Sequence, residues 1–181
     1  MSFSIITAMD QKRGIGKNNT IPWHLSGEFK YFAETTKRVV CSEKHNTVIM
    51  GSKTCESLPE AYRPLPGRLN IILNRESDPS PSLREGLGEG EGTVLCTSLD
   101  DALADLAGRD EIENVFVIGG GQIYVVAIEH PECNTLYVTE IHKTFDCDTF
   151  FPKIPNKFKE VSRSEIQEEK GIEYQFVKYE K

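Results

Sequence analysis

The sequence predicts an α/β fold: a doubly wound mixed sheet in a single domain over residues 1–181, mostly parallel and closed by an antiparallel C-terminal hairpin. Three observations point there. Short apolar runs alternate with helical segments through residue 128, the pattern of a sheet covered by helices on both faces. Glycine-rich or turn-forming residues follow several of these runs, at the strand ends where such sheets bind ligands. Beyond residue 134 strands follow one another with only loops between them, which favours antiparallel pairing.

Taken in order, residues 3–8 form the first apolar strand, and 13–19 (RGIGKNN) a glycine-rich loop ended by Pro22-Trp23. Ser26 is placed to cap a helix through Thr36, with Phe29, Phe32 and Ala33 on one face. Residues 47–50 are a buried-type strand, Gly51 turns the chain into a short helix over 53–58, and Pro59 stops it. The turn-rich segment 63–68 (RPLPGR) leads into the strand 70–73, and 76–92 reads as an acidic, Gly/Pro-rich surface loop. A strand at 93–96, a helix from the Ser98 cap to Leu106, a strand at 115–118, the turn Gly119-Gly120-Gly121 and a helix over 122–128 complete the alternating part. Residues 135–141, 158–165 and 173–179 are the tail strands.

A length of 181 residues fits one domain. The net charge of −7, from 28 acidic and 21 basic residues, argues against a nucleic-acid or anionic-membrane surface but leaves room for a local cationic pocket. No run approaches the ~20 apolar residues of a membrane span, and the N-terminus lacks the basic flank and apolar stretch of a signal peptide. A cytoplasmic location is expected. Cys41, Cys55, Cys96, Cys133 and Cys147 are odd in number and show no CxxC spacing, so free thiols in a reducing compartment are expected. His24, His45, His130 and His142 lack ligand spacing, so no metal is expected. No nucleophile–base arrangement and no interleaving of basic with aromatic residues stands out.

Three features carry chemistry. Gly119-Gly120-Gly121 follows a strand and opens a helix, where backbone amides attract phosphate and glycine permits close approach. The same glycines also serve a plain tight turn, and they do not spell GxGxxG. Lys53 and Arg75 follow neighbouring strands at equivalent places; together they suit a ribose 2′-phosphate, hence NADP, and singly they are ordinary solvated charges. Glu28 neighbours Leu25, Phe29 and Phe32, so it is either a boundary residue favoured by the helix dipole or a deliberately buried acid.

Residues 22–23 (PW), 28–29 (EF), Phe32, 48–51 (VIMG), 63–68, 70–73 (NIIL), 117–124 (VIGGGQIY), 137–139 (YVT) and 146–152 (DCDTFFP) resemble dihydrofolate reductase motifs, in family order and across essentially the whole chain. The resemblance implies NADPH-dependent reduction of 7,8-dihydrofolate to 5,6,7,8-tetrahydrofolate. Hydride would reach C6 and a proton N5, in support of one-carbon and thymidylate metabolism. By position, Glu28 is the single carboxylate of the pterin pocket, hydrogen-bonding the ring amide and 2-amino group. Thr139 holds the same edge from the opposite strand, and Trp23 joins the network through a water. The family places Glu28 too far from N5 to deliver the proton directly, so solvent does.

The resemblance further assigns Phe29, Phe32, Leu58 and Leu65 to the walls of the pterin and aminobenzoyl site, Ile6, Thr7 and Ile118 to the ring flanks, and Tyr124 to the substrate site. Arg68 would take the α-carboxylate of the glutamate tail as a bidentate fork. Ala8, Ile15, Gly16 and Asn19 would meet the nicotinamide end of NADPH, with 16–21 as a closing loop. Gly51, Lys53, Thr54, Asn74, Arg75, Ser98, Gly120, Gly121, Gln122 and Ile123 would hold the rest, with a cis bond between Gly119 and Gly120. A monomer that binds antifolate inhibitors is implied. Departures are Cys55, where relatives often carry Trp, and Lys53 and Gln122, where some carry other cations. A pyrimidine reductase of the riboflavin pathway shares the NADPH half but has no use for Glu28, Arg68 and Pro22-Trp23 together. A silent pterin- or nucleotide-binding module would not need every motif intact. The length leaves no room for a fused thymidylate synthase in this chain.

Overall fold

A computed structural model describes residues 1–74 and 92–181; the expected loop at 76–92 and the proposed cofactor contact Arg75 lie outside the described residues, except Gly92. The chain order is β1 (Phe3–Met9), β2 (Gly14–Gly16), α1 (Ser26–Lys37), β3 (His45–Gly51), α2 (Ser52–Ser57), a 3₁₀ turn (Glu60–Tyr62), β4 (Arg68–Leu73), β5 (Thr93–Cys96), α3 (Leu99–Leu106), β6 (Ile112–Gly119), α4 (Gly121–Glu129), β7 (Cys133–Ile141), β8 (Thr149–Phe150), β9 (Lys159–Arg163), β10 (Gln167–Glu169) and β11 (Ile172–Glu180).

Among the described residues the main sheet runs β10-β11-β7-β1-β6-β3-β4-β5, with β9 also paired to β11. The pairs β7/β1, β1/β6, β6/β3, β3/β4 and β4/β5 are parallel, and the three pairs made by β11 are antiparallel. The expected α/β mixed sheet is what forms. Its double winding is visible residue by residue, because side chains alternate between faces along a strand. Ile5, Ile49, Ile71 and Val117 pack on one side with Leu99, Leu103 and Leu106 of α3 and Ala127 and Ile128 of α4. Their neighbours Ile6, Val48, Met50, Ile72 and Phe116 pack on the other with Cys55, Phe32 and Leu58. Each such aliphatic side chain contributes about 1.5–3 kcal/mol on burial.

Several sequence expectations need correction. Ser26 does not cap α1: it is the first helical residue, Leu25 occupies the cap position, and no local side chain bonds there. The Glu169 carboxylate of β10 accepts the Gly27 amide instead, at 3.1 Å. At the other end Asn46 Nδ2 donates to the Thr36 and Arg38 carbonyls (3.0 and 2.9 Å), so distant side chains satisfy both ends of α1. Ser98 does cap α3, accepting the Asp101 amide at 3.1 Å. The segment read wholly as a loop at 13–19 contains β2, which pairs with β8 in a small second sheet; strands this short carry no periodicity to read. β7 is not confined to the antiparallel tail. It follows α4 as the return strand of a crossover and lies parallel to β1, with β11 on its other side. All five cysteines are free thiols, and no helix among the described residues is long and apolar enough to cross a membrane.

Candidate active site

Two cavities open at the carboxyl ends of the parallel strands. The first, about 250 Å³, is lined by Ile6, Thr7 and Ala8 from β1, Ile15, Gly16, Asn19, Thr20 and Ile21 from the loop beyond it, Trp23, Glu28, Phe29 and Phe32 around α1, Thr54, Ser57 and Leu58 at α2, Ile118 to Gly121 after β6, Tyr124 and Thr149. The second, about 530 Å³, is lined by 51–54, Leu73, Asn74, 97–99, 120–123 and Val126. Asn19, Thr54, Gly120, Gly121 and Thr149 line both, so the cavities adjoin.

Glu28 is the buried acid rather than the boundary residue: it is 7% exposed. Burial against apolar walls pushes its carboxyl up to about 7, because desolvation disfavours the charged form. No hydrogen bond from a described residue reaches that carboxylate. Trp23, 5% exposed, lines the same cavity, and its buried indole N–H also lacks a partner among the described residues. An acceptor with two free edges and a nearby free donor form a recognition set for a planar heterocycle that presents both N–H and lone-pair groups. Phe29, 36% exposed, and Phe32 border this space, so the apolar face of α1 that the sequence predicts fronts a cavity as well as packing, through Phe32, on the sheet. Tyr124 closes the floor, donating to the Ile6 carbonyl at 2.9 Å.

The second cavity has anion-binding character. The N-termini of α2 and α4 both face it, and neither carries a side-chain cap or an acidic first turn. Lys53 adds a cation at the first of them. Such ends bear partial positive charge and free amides, which favours phosphate. The α3 N-terminus also borders the cavity, but Ser98 caps it and Asp100 and Asp101 occupy its first turn, so it offers no comparable seat. Two phosphate-favouring ends beside an apolar, carboxylate-bearing cavity fit a dinucleotide whose redox ring reaches the first cavity.

Three expected substrate or catalytic residues stand outside the lining. Arg68 is buried, 7% exposed, behind Phe32, over whose ring its guanidinium carbon lies 5.9 Å from the centroid. Its Nη1 donates to Thr36 Oγ1 at 2.6 Å and its Nε to the Pro66 carbonyl at 3.3 Å, while burial pushes the guanidinium down to about 10. No carboxylate among the described residues pairs with it. Asn70 holds the preceding turn by exchanging hydrogen bonds with Leu65 N–H and C=O, both at 2.9 Å. Leu65 packs in the core beside Phe32, and Thr139 sits on β7 directly opposite Ala8 of β1. The remaining expected residues among those described line one cavity or both.

Sequence reasoning missed Ser52, Ser57, Thr97 and Thr149. The last lines both cavities and packs so closely on Gly121 that a Cβ there would come within 2.8 Å of it. Its only sequence signal was membership of the 146–152 motif. The loop over the first cavity is held by that same motif: Asn18 N–H donates to Asp148 at 2.8 Å, Asp148 N–H donates to the Gly16 carbonyl at 3.0 Å, and Lys17 pairs with Asp146. The Gly119–Gly120 bond is cis, as is Arg63–Pro64. Among the described residues no group of three or more His, Cys, Asp or Glu side chains is placed to hold a metal ion.

Comparison with known proteins places this arrangement. Residues 2–181 match the family model described as dihydrofolate reductase. The chain is 41% identical over 186 residues to the dihydrofolate reductase of Drosophila melanogaster, covering 100% of this chain and 98% of that protein. It is 43% identical over 187 residues to that of Aedes albopictus, at 99% and 97% coverage. With the Sus scrofa protein of the same name it shares 42% over 188 residues, at 97% and 96%.

Proposed function

Because this chain belongs to the dihydrofolate reductase family and is an enzyme that reduces dihydrofolate, we propose that it makes 5,6,7,8-tetrahydrofolate with NADPH as the reductant, as a cytoplasmic monomer of one domain. The observation that supports this most is the unpartnered, buried Glu28 carboxylate in a cavity that adjoins the phosphate-favouring one.

In this reading Glu28 accepts the pterin ring amide and 2-amino hydrogens, with Thr139 and Trp23 completing the polar edge. Its negative charge also stabilises the cation that forms as N5 gains a proton, because the surrounding apolar walls screen little. The proton comes from water, and Glu28 acts by orientation and electrostatics. Ile6, Thr7, Ile118 and Tyr124 flank the ring, and Phe29, Phe32 and Leu58, backed by Leu65, wall the pterin and aminobenzoyl groups. Ala8, Ile15, Gly16 and Asn19 border the nicotinamide end, and the loop at 16–21 excludes water. Gly51, Lys53, Thr54, Asn74, Ser98 and 120–123 hold the rest of the cofactor, to which the family resemblance also assigns Arg75. NADPH, when bound, supplies the hydride that reaches C6.

The first test is the fall in nicotinamide absorbance on mixing the protein with NADPH and dihydrofolate, with NADH in parallel. Oxidation with NADPH, weaker with NADH and abolished by an antifolate, is the expected result. Lys53→Gln should then lower the preference for NADPH over NADH about tenfold, the worth of one charge-assisted contact. No oxidation while NADPH still binds would overturn the reading.

Arg68 tests the substrate tail. A buried guanidinium without a carboxylate partner among the described residues suits an anionic ligand group, and the Thr36 contact fixes its plane. Arg68→Leu is expected to raise KM for dihydrofolate about 50-fold, the cost of a lost bidentate pair. KM for a pterin lacking the glutamate tail should stay unchanged; equal effects on both substrates would make Arg68 merely structural.

A further inference from the structure

The start of α1 is fixed by a part of the molecule remote in sequence. Glu169 Oε2 accepts the Gly27 amide from 142 residues away, and the Ser26 amide and hydroxyl bond the same carboxylate. These contacts supply the acceptor that the cap position lacks, and they hold the Glu169 carboxyl below its usual range. Beside them the Tyr174 hydroxyl lies so close to Gly27 that a Cβ there would come within 2.2 Å of it, so the helix meets the strand backbone-first.

The element that carries these two side chains is well defined. Lys170 and Gly171 have φ of 55° and 72°, the left-handed pair that a two-residue hairpin turn needs, and Glu169 faces Ile172 across it. Gln167 faces Tyr174 in the same register, so strand alternation turns Glu169, Ile172 and Tyr174 to one side, toward α1. Tyr174 is buried in the cluster of Trp23, Leu25 and Ile141, and its ring meets Phe176 edge-on at 5.6 Å. Phe176 in turn stacks on Tyr31, one turn further along α1, at 3.9 Å. The hairpin therefore grips α1 on either side of Glu28, yet neither Glu169 nor Tyr174 lines the cavity.

We propose that the β10–β11 hairpin, through Glu169 and Tyr174, sets the position of the Glu28 carboxylate in the cavity; this rests on the reading of Glu28 given above. Both are positioning residues, since they touch the helix and not the ligand space. Glu28 immediately follows Gly27, so a shift of the first turn moves the carboxylate directly, and small misplacements of a reacting group are costly.

The test compares Glu169→Ala and Glu169→Gln in the full-length protein, with Glu28→Gln as reference. Glu169→Ala is expected to lower kcat/KM for dihydrofolate about tenfold, with the dissociation constant for NADPH unchanged. Glu169→Gln should recover most of that loss, because its amide oxygen still accepts a first-turn N–H and its NH₂ can donate to the Ser26 hydroxyl, which rotates to accept. Wild-type kcat/KM in Glu169→Ala, a Gln variant as impaired as Ala, or a parallel loss of NADPH affinity would each overturn the proposal. The two readings separate cleanly: normal turnover in Glu28→Gln removes the role of Glu28 itself. An impaired Glu28→Gln beside an unimpaired Glu169→Ala removes only the role of the hairpin.

Discussion

Replacing Glu28 by glutamine is expected to lower kcat/KM for dihydrofolate about 10³-fold at pH 7, with NADPH affinity within about twofold of the wild type. The substitution keeps the volume and removes the charge. An ionised carboxylate can accept both donors of the pterin edge, whereas an amide offers one acceptor and sets its own N–H₂ against the second donor. It also loses the negative charge that opposes the cation forming as N5 is protonated. A factor of 10³ corresponds to about 4 kcal/mol of barrier, within the range expected when a charged group is lost from a water-poor site. Cofactor affinity is spared because Glu28 lines only the first cavity. Part of the rate should return as pH falls, since substrate already protonated at N5 needs less help. Steady-state rates between pH 5 and 8, with single-turnover hydride transfer, check both halves. Normal turnover at neutral pH would sink the assignment.

Much of this site was legible before the structure because its parts are local. The strands through Ile5, Val48, Ile71 and Val117 are apolar runs bounded by turn residues, and the glycine turn after β6 follows from sequence order alone. Ser98 was legible as a cap because its partner, Asp101, is three residues away. Ser26 misled for the complementary reason: the acceptor that serves α1 stands in another hairpin, and no window of sequence contains both. Spacing could not settle the burial of Glu28 either. Phe29 and Phe32 give α1 an apolar face whatever it faces, and only the tertiary arrangement shows that the face borders a cavity. Arg68 reads as a turn charge after Pro-Gly until the Thr36 hydroxyl and the Phe32 ring are brought to it by the packing of α1 on the sheet. The pairing of β7 with β1 depends on where a crossover lands, which the residues of β7 do not encode.

The Glu28→Gln protein without ligands should also gain stability at high pH, and the size of that gain measures what the site costs the fold. A carboxyl raised from 4.5 to about 7 is protonated in the folded protein at pH values where the unfolded chain has already released its proton. The unfolded state then binds fewer protons, so stability falls as pH rises from about 4.5 to about 7 and stays at the lower value above that. At 1.36 kcal/mol per pKa unit this one group removes about 3 kcal/mol by pH 8. Other titrating groups are common to both proteins and cancel in the comparison. Urea unfolding of the two proteins at pH 4.5 and pH 8 should therefore show a stability difference that grows by about 3 kcal/mol in favour of the variant. A difference that does not change with pH would mean that Glu28 ionises in the folded protein as it does in water, and the buried-acid reading would fail. Where the difference does grow, the same carboxylate is a substantial destabiliser of the ligand-free protein and the largest single source of rate with substrate bound. That is the trade expected of a binding group preorganised without its partner.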